Sequence, residues 1–345
     1  MNTYKLVNYT HCPQDNNYFS SPDYLKHCMS IVTIISIPIE CYGAYCIIYV
    51  TPIAMKDTKW ILLNSHIWLI VLDVVINILT IPMMYFPSTS GNMLGLGRFI
   101  YIPDAFLIYS IQALVCVYFS AVLTIFESRH RAIPTVNWKI SNKYVRLLVN
   151  IFNYLVATVT VLPPYFKQFD RESAIMEILK MIPCPTADFF NESLFILTDN
   201  PRLVTVFMGI QTILLSPQMV FFFCHTMYHL IYIPHKHVSA ATKKMQYKFL
   251  MGIMLQLSIP CAIIFQPIMY IWFSVNTGYY NQMLNNHTVA VVSLHGALTS
   301  SCMVIVHKAY RDHSINLVKT VFCCSRQSVV QINGNTSLTW ASVVR

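Results

Sequence analysis

The chain has 345 residues, of which 55% are hydrophobic and only 11% charged, and its formal net charge is +9. A soluble domain carries about 25% charged residues, so this composition excludes a water-solvated globule and makes the bilayer the main solvent. Nor is the positive charge a nucleic-acid footprint, because it is divided among the ends of long apolar stretches.

Residues 1–27 are polar and lack an apolar signal core, which predicts an extracellular N-terminal segment without a cleavable signal peptide. Seven apolar stretches follow, at 28–50, 61–86, 100–126, 144–166, 203–233, 249–275 and 287–307. Each can supply the roughly 20 residues that a helix needs to cross a bilayer core. They predict an all-α membrane protein, a seven-transmembrane helix bundle over 28–307, joined by short loops. Beyond it, Leu317, Val318, Val321 and Phe322 alternate with polar residues and predict an amphipathic juxtamembrane helix over 308–324. That helix ends at Cys323 and Cys324, candidate palmitoylation sites. Residues 325–345 read as a polar, flexible cytoplasmic tail.

Loop charge sets the expected direction. With the N-terminus extracellular and the C-terminus cytoplasmic, 16 of the 23 Lys and Arg residues fall on the inner side. Eight of the 14 acidic residues fall outside, six of them between Asp170 and Asp199. Anionic lipid on the inner leaflet is a sufficient partner for the basic side. Glycosylation triplets at Asn8, Asn191 and Asn286 face outside in this arrangement, with Asn286 close to the bilayer, while Asn335 falls in the tail. Cys12 and Cys184 both fall on the oxidising side and could form a disulfide, with Cys28 as a competitor.

Within the stretches, Pro38, Pro82, Pro163, Pro164, Pro217, Pro260 and Pro267 can kink helices and open a cavity, or simply record inherited shape. Charged groups are more telling. At 1.5 Å per residue, Glu40 lies about 15 Å above the cytoplasmic end of its helix, Asp73 about 20 Å above Trp60 and His295 about 18 Å above His307. The three share one depth and predict an intramembrane polar cluster, with Asp73 and His295 paired. Separate solvated groups or a bound cation are alternative readings. Asp104, Ile108, Ile111 and Gln112 on the third stretch, with Gln266 and Tyr270 on the sixth, are candidate ligand contacts in a mainly apolar pocket opening outward.

At the inner ends, Glu127 and Arg129 can pair and separate as a partner arrives, or merely snorkel. Lys243, Lys244 and Lys248, with His235, Lys236 and His237, could meet an acidic cytoplasmic surface. His225 and His229 have helical metal-ligand spacing, but the residues between them lack the glutamate of a zinc protease. No metal site, cofactor or catalytic motif is expected, and the chain does not read as an enzyme. A seven-helix ligand-gated channel or transporter is the alternative; transporters commonly carry inverted repeats, and none is visible here.

The order and spacing of several fragments carry a resemblance. Ser21-Pro22-Asp23-Tyr24-Leu25, Tyr42-Gly43-Ala44-Tyr45-Cys46-Ile47 and Lys59-Trp60-Ile61-Leu62-Leu63-Asn64-Ser65-His66-Ile67-Trp68 come first. Phe126-Glu127-Ser128-Arg129-His130, Thr242-Lys243-Lys244-Met245-Gln246-Tyr247-Lys248, Ser293-Leu294-His295-Gly296-Ala297 and His307-Lys308-Ala309-Tyr310-Arg311 complete the set. Across almost its whole length the chain resembles the nematode serpentine chemoreceptors of class H, within the Str group of G-protein-coupled receptors. It departs from them at Glu40 and Ser128, where His and Asn are common, and at Ala309, where Pro is usual. The resemblance implies a plasma-membrane olfactory receptor, in a sensory-neuron cilium, for a small-molecule chemical ligand, coupled to a heterotrimeric G protein. The inner contact would then use Glu127, Arg129, Lys243, Lys244 and Lys248.

Overall fold

The first long helix begins where a serine can accept and a proline need not donate. Ser21 Oγ takes the Tyr24 N–H at 3.2 Å, and Pro22 occupies the first turn. The computed structural model describes residues 4, 9–13, 15–133, 136, 138–191, 193–233 and 240–330. Its longer helices are α1 (Pro22–Tyr45), α2 (Lys56–Val74), α3 (Asp104–Arg131), α4 (Lys143–Val159) and α5 (Arg171–Met181). They continue with α6 (Pro201–Tyr232), α7 (Ala240–Thr277), α8 (Gln282–Ser293), α9 (His295–Val306) and α10 (Lys308–Val330).

Among the described residues, six helical passages are long and apolar enough to cross a membrane: Pro22–Val50, Thr58–Thr80, Asp104–Arg131, Lys143–Phe166, Arg202–Tyr232 and Gln282–Val306. The 38-residue α7 covers the remaining predicted stretch. Contacts close a ring in the order α1, α2, α3, α6, α7, α9 and back to α1, with α4 packed outside against α3. Two passages widen rather than end: α1 runs into a π-type turn over Cys46–Val50, and α2 into another over Val75–Thr80. The last passage breaks at Leu294, between α8 and α9.

The first, sixth and seventh predicted stretches begin earlier, at Pro22, Ala240 and Gln282, and two others shift. The second ends at Thr80, where Ile81 turns left-handed (φ 41°) and Pro82 begins a strand. The third begins at Asp104, after Pro103 rather than at residue 100. Strands β1 (Pro82–Met84), β2 (Ser90–Met93) and β3 (Phe195–Ile196) form an antiparallel sheet, with Pro82 opposite Met93 and Ser90 opposite Ile196. The all-α reading therefore gains a small sheet at one end of the bundle.

That end is also less bare than short loops would leave it. Asp170 caps α5 by accepting the Ser173 N–H at 2.8 Å, and the Ser173 hydroxyl, with that N–H, holds its carboxyl below the usual range. Ile175, Ile178, Leu179, Phe189 and Leu194 then pack with Leu25, Met29, Met83 and Tyr85 into one core. Residues 171–191 and 193–196 therefore form a lobe seated on α1 and the sheet. Three buried amides at the start of α8 fasten it further. Gln282 Nε2 donates to Met84 O at 3.2 Å, Asn285 Nδ2 to Phe86 O at 3.1 Å and Asn286 Nδ2 to Phe19 O at 3.0 Å. Asn286 is thus committed to the interior, whereas Asn191 is exposed.

At the opposite end, Ile47, Phe126, Leu230, Leu250, Ile253, Met303 and Tyr310 belong to a second core that joins six passages to α10. Tyr42 OH meets Ser314 Oγ at 2.7 Å and Thr51 Oγ1 meets Tyr310 OH at 2.8 Å, which ties α10 to α1. The α10 helix runs to Val330, past residue 324, where the sequence pattern placed its end.

Cys12 and Cys184 are joined by a disulfide across 172 residues of sequence, and Cys28 is free. Closing so long a loop removes denatured-chain entropy worth about 2–5 kcal/mol. Cys12→Ser, Cys184→Ser and the double variant should therefore lower the apparent melting temperature of the detergent-solubilised protein by the same amount. Additive losses would show that the two thiols act separately.

Candidate functional site

A cavity of about 510 Å³ lies under the sheet, walled by α3, α6, α7 and α8. This falls within the range of about 300–1,000 Å³ typical of small-molecule sites. Ile108, Ile111, Gln112 and Val115 form its α3 wall, at the i, i+3, i+4, i+7 spacing of one helical face. Across from them stand Met208 and Thr212 on α6, and Ile271 and Trp272 on α7. Phe86, Thr89 and Leu197 of the strand connections roof it. The roof is stitched by Leu197 N–H to Thr89 O and by Thr89 Oγ1 to Thr198 O, each at 3.0 Å. Among the described residues none of the lining side chains is charged, and Gln112 Oε1 accepts the Tyr165 hydroxyl at 2.9 Å.

The other expected ligand residues lie elsewhere. Asp104 stands one turn before Ile108, at the N-terminal end of α3, where the helix dipole favours a carboxylate. Gln266 and Tyr270 share a different face of α7 from Ile268, Ile271 and Val275. With Leu284 and His287 they line a separate recess of about 80 Å³ against α8. The Tyr270 hydroxyl is already used, donating to Asn285 Oδ1 at 2.7 Å.

Deeper in the bundle, Glu40, Asp73 and His295 meet, all at least 95% buried. His295 Nδ1 lies 3.2 Å from Asp73 Oδ1 and 3.0 Å from Val292 O, a carbonyl beside the helix break. The break thus supplies part of the polar surroundings that a buried imidazole needs. Both carboxyls crowd onto Gly296: a Cβ there would collide with the Asp73 carboxyl and sit 2.6 Å from Glu40 Oε1. His66, assigned no role from the sequence, completes the layer by bonding Glu40 O through Nε2 at 2.8 Å. A charged side chain at mid-bilayer costs about 2.5–3.5 kcal/mol on insertion scales, so such groups persist where a bundle surrounds them with one another.

At the basic end, Glu127 is buried and faces Arg131, one turn along, at 4.0 Å. Residues two apart point to different sides of a helix, so Glu127 and Arg129 are not a facing pair. Arg129 is half-buried. A cleft of about 530 Å³ opens beside Glu127 between α3 and α4, with Arg131, Lys143 and Arg146 on its walls. Lys244 and Lys248 are exposed one turn apart on α7. The His225 and His229 rings are tilted at 56° with centroids 4.6 Å apart, and His130 Nε2 meets His225 Nδ1 at 2.8 Å, bridging α3 to α6. Among the described residues no group of three ligands is placed to hold a metal. Asn8, the 234–239 segment with His235, Lys236 and His237, and the side chains of Lys243, Cys323 and Cys324 lie outside the described residues.

Two substitutions test the packing of the polar layer. Gly296→Ala should lower stability by about 1–3 kcal/mol, the usual cost of forcing a methyl into a filled site. Asp73→Ala in the same chain should recover part of that loss, since the clash is with its carboxyl, and the pair should be strongly non-additive in thermal unfolding. Simple additivity would mean that Gly296 and Asp73 do not touch.

Comparison with known proteins covers all of these regions. A family model described as the serpentine type 7TM GPCR chemoreceptor Srh matches residues 20–320. Serpentine receptor class H-72 of Caenorhabditis elegans is 26% identical over 336 residues, spanning 96% of this chain and 95% of that protein. The matched segment runs from the start of α1 into α10 and takes in the cavity, the polar layer and the basic end. The chain belongs to the Srh family of serpentine seven-transmembrane chemoreceptors.

Proposed function

We propose that this receptor binds a small external molecule in the cavity walled by α3, α6, α7 and α8 and passes the change to a heterotrimeric G protein at the basic end. The observation that carries the reading is the cavity itself: roofed, uncharged, of ligand size, and built at the end opposite the Arg129 cluster. The Cys12–Cys184 bridge supports an extracellular position for the roofed end, since such bonds persist in oxidising surroundings. Exposed Lys244 and Lys248 support a cytoplasmic position for the other, as the distribution of basic loops does. In that orientation Asn191 is available for glycosylation, and the receptor resides in the plasma membrane with basic residues against inner-leaflet lipid.

The proposed mechanism is a population shift. A ligand changes the resting bundle only by the difference in its affinity for the two arrangements, and moving a 1:99 balance to 99:1 takes about 5.5 kcal/mol. The α3 and α6 helices wall the cavity and also meet through His130 and His225 at the basic end, so a ligand that separates them can bias both sites. Arg129 sits beside that junction, where a partner can compete for it.

The experiment is a screen of the full-length receptor against volatile and water-soluble molecules with a promiscuous G-protein reporter, followed by variants matched for surface level. Ile111→Trp should fill the α3 wall and abolish agonist binding and response together. Arg129→Ala should leave agonist binding within about threefold, less than 1 kcal/mol, while abolishing G-protein activation. An undiminished response in Arg129→Ala would remove the basic end from the coupling scheme.

A further inference from the structure

The cavity has one wall unlike the others. On α3, Ile108 is only 7% exposed, but Ile268 and Trp272 on α7 line the same space and are 55% and 56% exposed. Thr205 and Thr212 on α6 are likewise both lining and exposed. A residue that faces a cavity and the outer surface at once marks an opening, and all four border the gap between α6 and α7.

The faces of α6 explain the gap. Gln211 turns toward α4, where it accepts the Thr160 hydroxyl. At 100° per residue, Met208, Thr212 and Thr205 come next and face the cavity. Gly209 follows on the far side from Gln211, and a Cβ there would meet nothing within 4 Å among the described residues. Farther along, α6 and α7 are held together through Leu230, Leu250 and Ile253 in the basic-end core, so they part only in their upper halves. Pro217 interrupts the hydrogen-bond ladder of α6 between the open and closed regions.

Depth places the opening within the apolar slab. Thr212 is about 16 Å along α6 from its first residue, and Ile268 about 13 Å from the end of α7, at 1.5 Å per residue. Above them the roof of Thr89 and Leu197 covers the cavity from the aqueous side. The walls also specify what could use such an entrance. A charged molecule would meet no counter-charge among the described lining residues. A neutral one would find apolar contacts and the Gln112 amide nitrogen as a donor; the Gln112 oxygen is already taken by Tyr165, and the Thr212 hydroxyl already donates to Met208 O at 2.9 Å.

We propose that the cavity is loaded from the bilayer: an uncharged, largely apolar molecule bearing an acceptor oxygen, of the alcohol, ketone or ester type, enters sideways between α6 and α7 at Gly209. This rests on the cavity being the ligand site. The receptor is then a sensor of what has partitioned into the membrane, and its apparent sensitivity follows membrane concentration rather than aqueous concentration.

The test uses full-length receptor in phosphatidylcholine vesicles, a diazirine-bearing decanol as probe and its membrane-impermeant sulfonate as control. Timed photolabelling of the α3 wall at Ile108, Ile111 and Gln112 is read by mass spectrometry. The alcohol should label that wall and the sulfonate should not. Gly209→Trp should slow labelling by about tenfold or more, within the ~1–3 decades over which on-rates vary among variants of one site. Gly209→Ala should not slow it. Trp272→Ala, which widens the gap, should speed labelling, so the route remains testable if the tryptophan variant fails to fold. Labelling by the sulfonate, or a wild-type rate in both Gly209→Trp and Trp272→Ala, would overturn lateral entry while leaving the cavity as the site. An α3 wall that neither probe labels in the wild type would overturn the cavity reading, and the route with it.

Discussion

The bundle depends on the close approach of α1, α2 and α9 at Gly296. Hydrocarbon offers no partner to a carboxylate or an imidazole, so a chain that places Glu40, Asp73 and His295 at one depth must bring them together. That is possible only because the facing residue on α9 has no side chain: the two carboxyls occupy the volume that a Cβ would fill. The interruption at Leu294 belongs to the same arrangement, because it leaves the Val292 carbonyl within reach of the His295 ring. The π-type turn that follows α2 begins two residues after Asp73, and wide turns of this kind recur where a helix is adapted to a polar task.

Pinning those three helices divides the molecule into a fixed side and a looser one. The lobe, the sheet and the amides of α8 cap the α1–α2–α9 side from one end, and the core around Phe126 and Tyr310 closes it from the other. By contrast, α6 and α7 pack on each other in the basic-end core, while in their upper halves Gln211 ties α6 to α4 and Tyr270 ties α7 to α8. The cavity lies where the two sides diverge, with a buried wall on α3 and a partly exposed one on α6 and α7.

How much of this the sequence reveals depends on the scale of the signal. Seven spans are legible because a water-solvated fold has little use for apolar runs of membrane length. The polar layer is legible too, since depth along a helix follows from counting residues, and Asp73 indeed lies beside His295 at 3.2 Å. Ile108, Ile111 and Gln112 stand on the cavity wall because helical spacing puts them on one face. The same spacing does not give the phase of a helix that is apolar all round. On α7 it therefore could not separate Gln266 and Tyr270, which look toward α8, from Ile268, Ile271 and Trp272, which look into the cavity. The lobe was hidden for another reason: Ile175, Ile178 and Phe189 stand in a polar stretch, and their packing partners Leu25, Met29 and Met83 are about a hundred residues or more away.

The lobe and the open wall are physically linked. Folding residues 171–191 and 193–196 over the bundle, with the Cys12–Cys184 bridge fixing the N-terminal segment to it, covers one end of the cavity, which in the proposed orientation is the side where water-borne molecules arrive. An uncharged cavity gains from such a cover, because excluded water cannot compete for its few hydroxyls and amides. The same cover would trap a ligand outside unless another side were thinner. Gly209 supplies the thin place on a helix otherwise rich in large side chains, such as Val206, Ile210 and Ile213, which point to the exterior. Roof, uncharged walls and missing Cβ thus favour the same class of molecule and the same approach, which no one of them would specify alone.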